Sequence, residues 1–137
     1  MWIFSKRGFY SIVEDKLLPN KWQVRARTRV DLENLINANN LQVKLIETPH
    51  ADYRFRIVVD ATQFVSIMSG FAKDVTYTNF KDAVKHVKGQ QDKLDILHQI
   101  WVLMWKLQAK LHPYKFKGKR KANKYVGDSG KEHYSVF

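Results

Sequence analysis

Two stretches of this chain alternate so regularly that they leave little choice of local structure. In Trp22–Arg29 (WQVRARTR), Arg25, Arg27 and Arg29 share every second position with Gln23, while Trp22, Val24, Ala26 and Thr28 fall between them. In Tyr53–Val59 (YRFRIVV), Tyr53, Phe55, Ile57 and Val59 alternate with Arg54, Arg56 and Val58. A strand sends successive side chains to opposite faces, so each stretch offers one face to a core and carries arginines on the other. Half-buried strands of this kind belong to antiparallel sheets covered on one side.

The neighbouring segments supply the remaining elements. Trp2–Asp15 reads as a strand, a turn near Lys6–Gly8 and a second strand from Phe9 to Val13, followed by a loop broken at Pro19–Asn20. Asp31 is the expected N-cap of a helix through Leu32, Leu35 and Ile36 that ends at Asn37–Asn40. Residues 41–47 alternate as a strand, 62–73 have helical spacing, Asn79 caps a short helix, and a longer helix runs from about Gln91 to Leu111. This order predicts an α+β fold: an antiparallel sheet with helices on one face, plus a long C-terminal helix and a basic tail. Strand 22–29, helix 31–38, strand 41–47, strand 53–59 and helix 62–73 fit a permuted ferredoxin-like core, a split βαβ whose edge strand comes first rather than last. Strands 22–29 and 53–59 are then neighbours. Residues 1–111 are expected to form a single domain and 112–137 a flexible, basic tail.

Composition narrows the chemistry. The 137 residues include no cysteine, which excludes disulfides, thiol catalysis and cysteine-based zinc sites. The start, MWIFSKRGFY, has no secretory pattern, and the longest apolar run, Ile100–Trp105 (IWVLMW), is far too short to span a bilayer. A cytoplasmic setting without membrane association is the expectation. Net charge is +11, and residues 106–137 alone carry nine basic and two acidic residues. Charge of this size points to polyanionic partners, either nucleic acid or an acidic protein surface.

With the two alternating strands adjacent, Arg25, Arg27, Arg29, Arg54 and Arg56 form one basic platform, joined by Tyr10 and Lys44 from flanking strands. Bases stack on rings or guanidinium planes while phosphates meet the positive charges. Lys115, Lys117, Lys119, Arg120, Lys121 and Lys124 form a second, sequence-independent arm. The first reading is therefore a non-catalytic nucleic-acid-binding protein, with RNA or single strands favoured and no sequence specificity expected. The competing reading is an ordinary solvated face, with Glu14, Glu47, Asp52 or Asp60 pairing some of the arginines. Ile12 and Ile46 are expected on the arginine face, which argues for partial cover.

The 91–111 helix carries Trp101 and Trp105 one turn apart in an all-apolar run. This is either the middle of the core or an interface, formed with a second copy or a docked protein. Enzymatic motifs are lacking: there is no HExxH, no phosphate-binding glycine loop, no nucleophile elbow and no carboxylate cluster. His50, Asp52 and Arg54 offer the one weak alternative, a small nuclease or phosphoesterase. No catalytic residue, metal or cofactor is assigned.

Taken together, MWIFSKRGFYSIVED, WQVRAR, ETPHADYRFR and YTNFKDAV resemble a family of small bacterial and phage proteins over roughly residues 1–98. The family carries no assigned activity, so the resemblance transfers no catalytic residues. It implies a prokaryotic or phage cytosolic setting. It also raises a second function: a mobile-element protein that binds and inhibits a host or anti-phage defence component.

Overall fold

The computed structural model describes residues 1–113. Trp2–Ser5 (β1) and Gly8–Glu14 (β2) form a hairpin around Lys6–Arg7, and Lys21–Ala26 (β3) returns alongside β2. Arg29–Ala38 (α1) leads to a two-residue strand, Ile46–Glu47 (β4), and Phe55–Asp60 (β5) then inserts between β4 and β3. The result is a five-stranded antiparallel open sheet of order β1-β2-β3-β5-β4. As the expected topology requires, the two arginine-bearing strands β3 and β5 are neighbours.

Register decides which side chains share a face. Val24 stands opposite Ile12 on one side and Ile57 on the other, so these residues face the helices together with Tyr10, Ala26 and Val59. Leu32 and Leu35 of α1, and Ile67 of Ala61–Lys73 (α2), close the core over them. Each fully buried aliphatic side chain here contributes about 1.5–3 kcal/mol. Asp60 starts α2 with a reciprocal cap: its carboxylate accepts from the Gln63 N–H at 2.8 Å, while the Gln63 side chain accepts from the Asp60 N–H at 3.0 Å. Asn79 caps Phe80–Lys85 (α3) as expected, accepting from the Asp82 N–H at 3.1 Å.

Three local expectations are corrected. The arginine strand ends at Ala26, and α1 begins at Arg29 with Thr28 as its N-cap. Asp31 is therefore not a cap but lies inside the first turn, fully buried. It accepts from the Phe9 N–H at 3.2 Å and from Gln90 Nε2 at 2.8 Å, and it pairs with Lys93. Gly8 makes room for it: a Cβ there would lie 2.7 Å from Asp31 Cβ and Cγ. Finally, the expected strand over 41–47 shrinks to Ile46–Glu47, because residues 41–45 make no ladder.

A single 3₁₀ turn, Gln91–Lys93, precedes the long helix Leu94–Leu111 (α4). Met1–Trp101 form one compact unit, and residues from Val102 onward belong to a second. Among the described residues no helix is long and apolar enough to cross a membrane, and no group of three His, Asp or Glu side chains is arranged to hold a metal ion. Nearly all of the basic tail, including Lys115, Lys117, Lys119, Arg120, Lys121 and Lys124, lies outside the described residues.

Candidate nucleic-acid interface

The face of the sheet away from α1 and α2 follows from the same register. Arg25 stands opposite Ser11 on β2 and Arg56 on β5, and Trp2 stands opposite Ser11 from β1. Phe4 pairs with Phe9, and Ile46 with Arg56. This face therefore runs from exposed aromatics on β1 to guanidinium groups on β3 and β5.

Tyr53 joins these two ends. Strict alternation from β5 assigns it to the core side, but the chain bends at Ala51–Tyr53, and Asp52 accepts from the Tyr53 N–H at 2.8 Å. The ring consequently lies among the arginines. The Arg25 and Arg27 guanidinium carbons sit 4.7 Å and 4.3 Å from its centroid, and Phe9 is 6.4 Å away. Phe9 in turn stacks on Phe4 at 4.4 Å and meets Trp2 edge-on at 5.8 Å. Trp2 is 69% exposed and Phe4 37%, whereas Tyr53 is 4% exposed.

The central arginines donate their hydrogen bonds to neutral groups. Arg25 donates to Ser11 Oγ at 2.8 Å, and Arg27 to the Asp52 carbonyl at 2.6 Å. Arg56 donates to Gln23 Oε1 at 3.5 Å and to the Tyr53 carbonyl at 3.3 Å, both long contacts. Among the described residues none of the three forms an ion pair. Arg25 Nε, Arg56 Nε and Tyr53 Oη are buried without a hydrogen-bond partner there.

The other two predicted arginines are occupied. Glu47 pairs with Arg54 at 2.7 Å and with Arg29 at 3.4 Å, and chiefly the Arg54 hydrogen bond holds its carboxyl below the usual range. Both guanidinium carbons lie 5.7 Å from the Phe55 ring, and Phe55 belongs to the core side. Arg29 sits in α1 rather than on the sheet. The five-arginine platform thus becomes three arginines around Tyr53, with a separate cluster around Glu47.

Tyr10 is also corrected. It is fully buried on the helix side, where its hydroxyl donates to the Asp31 carbonyl at 2.7 Å and burial pushes its phenol pKa up. Ile12 goes with it. Ile46 stays on the arginine side as expected, and Lys44 is exposed outside any strand. His50, Asp52 and Arg54 do not converge: His50 is exposed, the Asp52 carboxylate faces the Tyr53 N–H, and Arg54 faces Glu47. Trp101 is half-buried and stacks on His98 at 5.9 Å, while Trp105 is exposed. Trp2, Phe4, Phe9 and Tyr53 are the residues that alternation alone did not assign to this face.

Comparison of the chain with protein-family models, curated proteins and solved structures finds no match.

Proposed function

We propose that this protein binds single-stranded nucleic acid, RNA foremost, on the helix-free face of its sheet and without catalysis. The observation that carries this reading is Arg25 opposite Arg56 with no carboxylate partner among the described residues, beside the exposed rings of Trp2 and Phe4. Guanidinium groups without acidic partners attract phosphates, and exposed rings accept bases of any identity. A duplex would hide its bases from those rings. The basic stretch over 106–137 supports a second, sequence-independent contact. The strand order β2-β3-β5-β4 also supports the permuted ferredoxin-like core, whose open sheet face is used by some RNA-binding modules; this support is analogy.

The test is a salt titration of the full-length protein against labelled single-stranded RNA, single-stranded DNA and duplex DNA. Single strands should bind more tightly than duplex, with affinity falling as salt rises. The double variant R25Q/R56Q should lose most of that preference. Equal binding to all three by the wild type and the variant overturns the reading.

A second reading rests on α4, where Leu103, Met104, Trp105, Leu107 and Leu111 are exposed. Such a stripe suits docking on a protein, whether a host or anti-phage component or a second copy. Under that reading Trp105→Ala weakens partner binding, while R25Q/R56Q leaves it intact.

A further inference from the structure

The charges on the helix-free face gather at one point instead of spreading along a track. Arg25 and Arg27 both lie over the Tyr53 ring, and Arg56 stands opposite Arg25 and bonds the carbonyl of Tyr53 itself. Arg29 and Arg54, which would have extended the row, are turned to Glu47. A groove that follows a nucleic-acid backbone meets one charge per phosphodiester and is best served by cations spaced along it. Two guanidinium groups over one ring, with a third at the carbonyl of the same residue, suit a more highly charged group. A phosphate monoester carries about −1.5 to −2 charges at neutral pH and offers three strong acceptor oxygens.

From this convergence we propose that Arg25, Arg27, Arg56 and Tyr53 form a seat for a phosphate monoester, the terminal phosphate of the bound strand. The proposal rests on the single-strand reading above and makes it more specific. Unclaimed donors supply the second argument. A guanidinium grips phosphate best with two parallel N–H groups. Arg25 and Arg56 use terminal nitrogens on Ser11, Gln23 and Tyr53, while both Nε–H groups are buried without a partner among the described residues. The Tyr53 hydroxyl is in the same condition. Rotation of the two side chains toward an incoming phosphate turns these donors onto its oxygens, replacing weak neutral contacts with charge-assisted ones.

The aromatic end gives the strand a direction. β1 lies two strand spacings from β3 and three from β5, roughly 10–14 Å away. With the terminal phosphate at Tyr53, the next nucleotides cross β2 toward Phe4 and Trp2, where bases can stack.

The experiment uses the full-length protein and three oligouridines of about ten nucleotides, one with a 5′-phosphate, one with a 3′-phosphate and one with hydroxyls at both ends. One phosphorylated form should bind roughly tenfold or more tightly than the hydroxyl-ended strand, and the favoured end identifies the strand polarity. Arg56→Gln should reduce that preference to near unity while hydroxyl-ended binding falls only modestly. Arg27→Gln, at an exposed position, should do the same and guards against a folding defect in the first variant. If all three strands bind alike, the monoester seat is overturned and the single-strand reading stands. If none binds, both fall. If either variant keeps the full preference, these arginines are not the seat.

Discussion

Arg25 and Arg56 face each other directly across the β3–β5 pair, and no carboxylate among the described residues pairs with either. Like charges directly opposite on neighbouring strands destabilise a sheet. A phosphate bound between them, as proposed above, would offset that repulsion.

Arg56→Gln removes one of the two charges and keeps amide donors for its long contact to the Tyr53 carbonyl. Urea unfolding should show a gain of roughly 0.2–1 kcal/mol. Binding to single-stranded RNA should weaken in the same variant. A stability loss larger than about 1 kcal/mol would make the Arg56 guanidinium a packing element, not a binding group.

Glu47 pairs with two arginines, so removing its charge should release Arg54, while Arg29 keeps its pair with Glu33 at 3.8 Å. Glu47→Gln breaks the pairs with Arg54 and Arg29, all on exposed or half-exposed side chains. The urea midpoint should stay where it is. Affinity for single strands should rise, and the slope of log K against log salt should steepen by up to about one unit for each arginine that reaches a phosphate. An unchanged slope would show that the Glu47 cluster lies off the path of the strand.

How far the sequence exposes this site depends on contrast between neighbouring residues. In WQVRAR polar and apolar residues alternate, and the faces of β3 are legible residue by residue. In GFYSIV both sets are largely apolar, so nothing in the pattern says whether Phe9 and Ser11 or Tyr10 and Ile12 face the helices. The β2–β3 register, Ser11 against Arg25, decides that question, and it moves Tyr10 out of the site. Arg29 is lost for another reason. Thr28 is still extended, but the apolar spacing of Val30, Leu32 and Leu35 already belongs to α1, and the buried partners of Asp31 hold that first turn in place. Tyr53 escapes a period-two reading because the bend just before β5 resets the alternation. The pairing of β3 with β5 and three of the five arginines are visible in the sequence; the aromatic residues of this face are not.

At Gly8 the hairpin passes close against Asp31 of α1. A methyl group there would meet Asp31 Cβ and Cγ at 2.7 Å and the Tyr10 hydroxyl at 2.8 Å. These are not the far ends of flexible side chains, because Asp31 is held by Phe9, Gln90 and Lys93. Gly8→Ala should therefore destabilise the fold by roughly 1–3 kcal/mol, read from chemical denaturation. A neutral result would mean that the first turn of α1 can retreat from β2.

Acid should act on this fold through Asp74, the residue that ends α2. Its carboxylate takes a bidentate grip from Arg7, and that hydrogen bonding is the main cause holding its pKa below the ordinary aspartate value. A depressed folded-state pKa contributes stability above the ordinary value, near pH 4, and that contribution fades as pH falls through the lower folded value. Asp74→Asn should cost about 1 kcal/mol at neutral pH, a modest figure because solvent screens the pair. The gap between wild type and variant should close as pH drops below about 4. A gap that persists into strong acid would assign the loss to packing.

Trp2 offers the cleanest separation of binding from folding. At 69% exposure its ring meets Phe9 edge-on, so Trp2→Ala should leave stability within about 0.5 kcal/mol. If a base stacks there, the same change should weaken single-strand binding by roughly 1–3 kcal/mol, with the salt slope unaltered because no charge is removed. Trp2→Phe should restore most of the affinity. Loss of the salt slope in Trp2→Ala would instead mean that the ring positions the arginines through Phe9 and Tyr53, and the aromatic end of the face would then be a support for the cationic end.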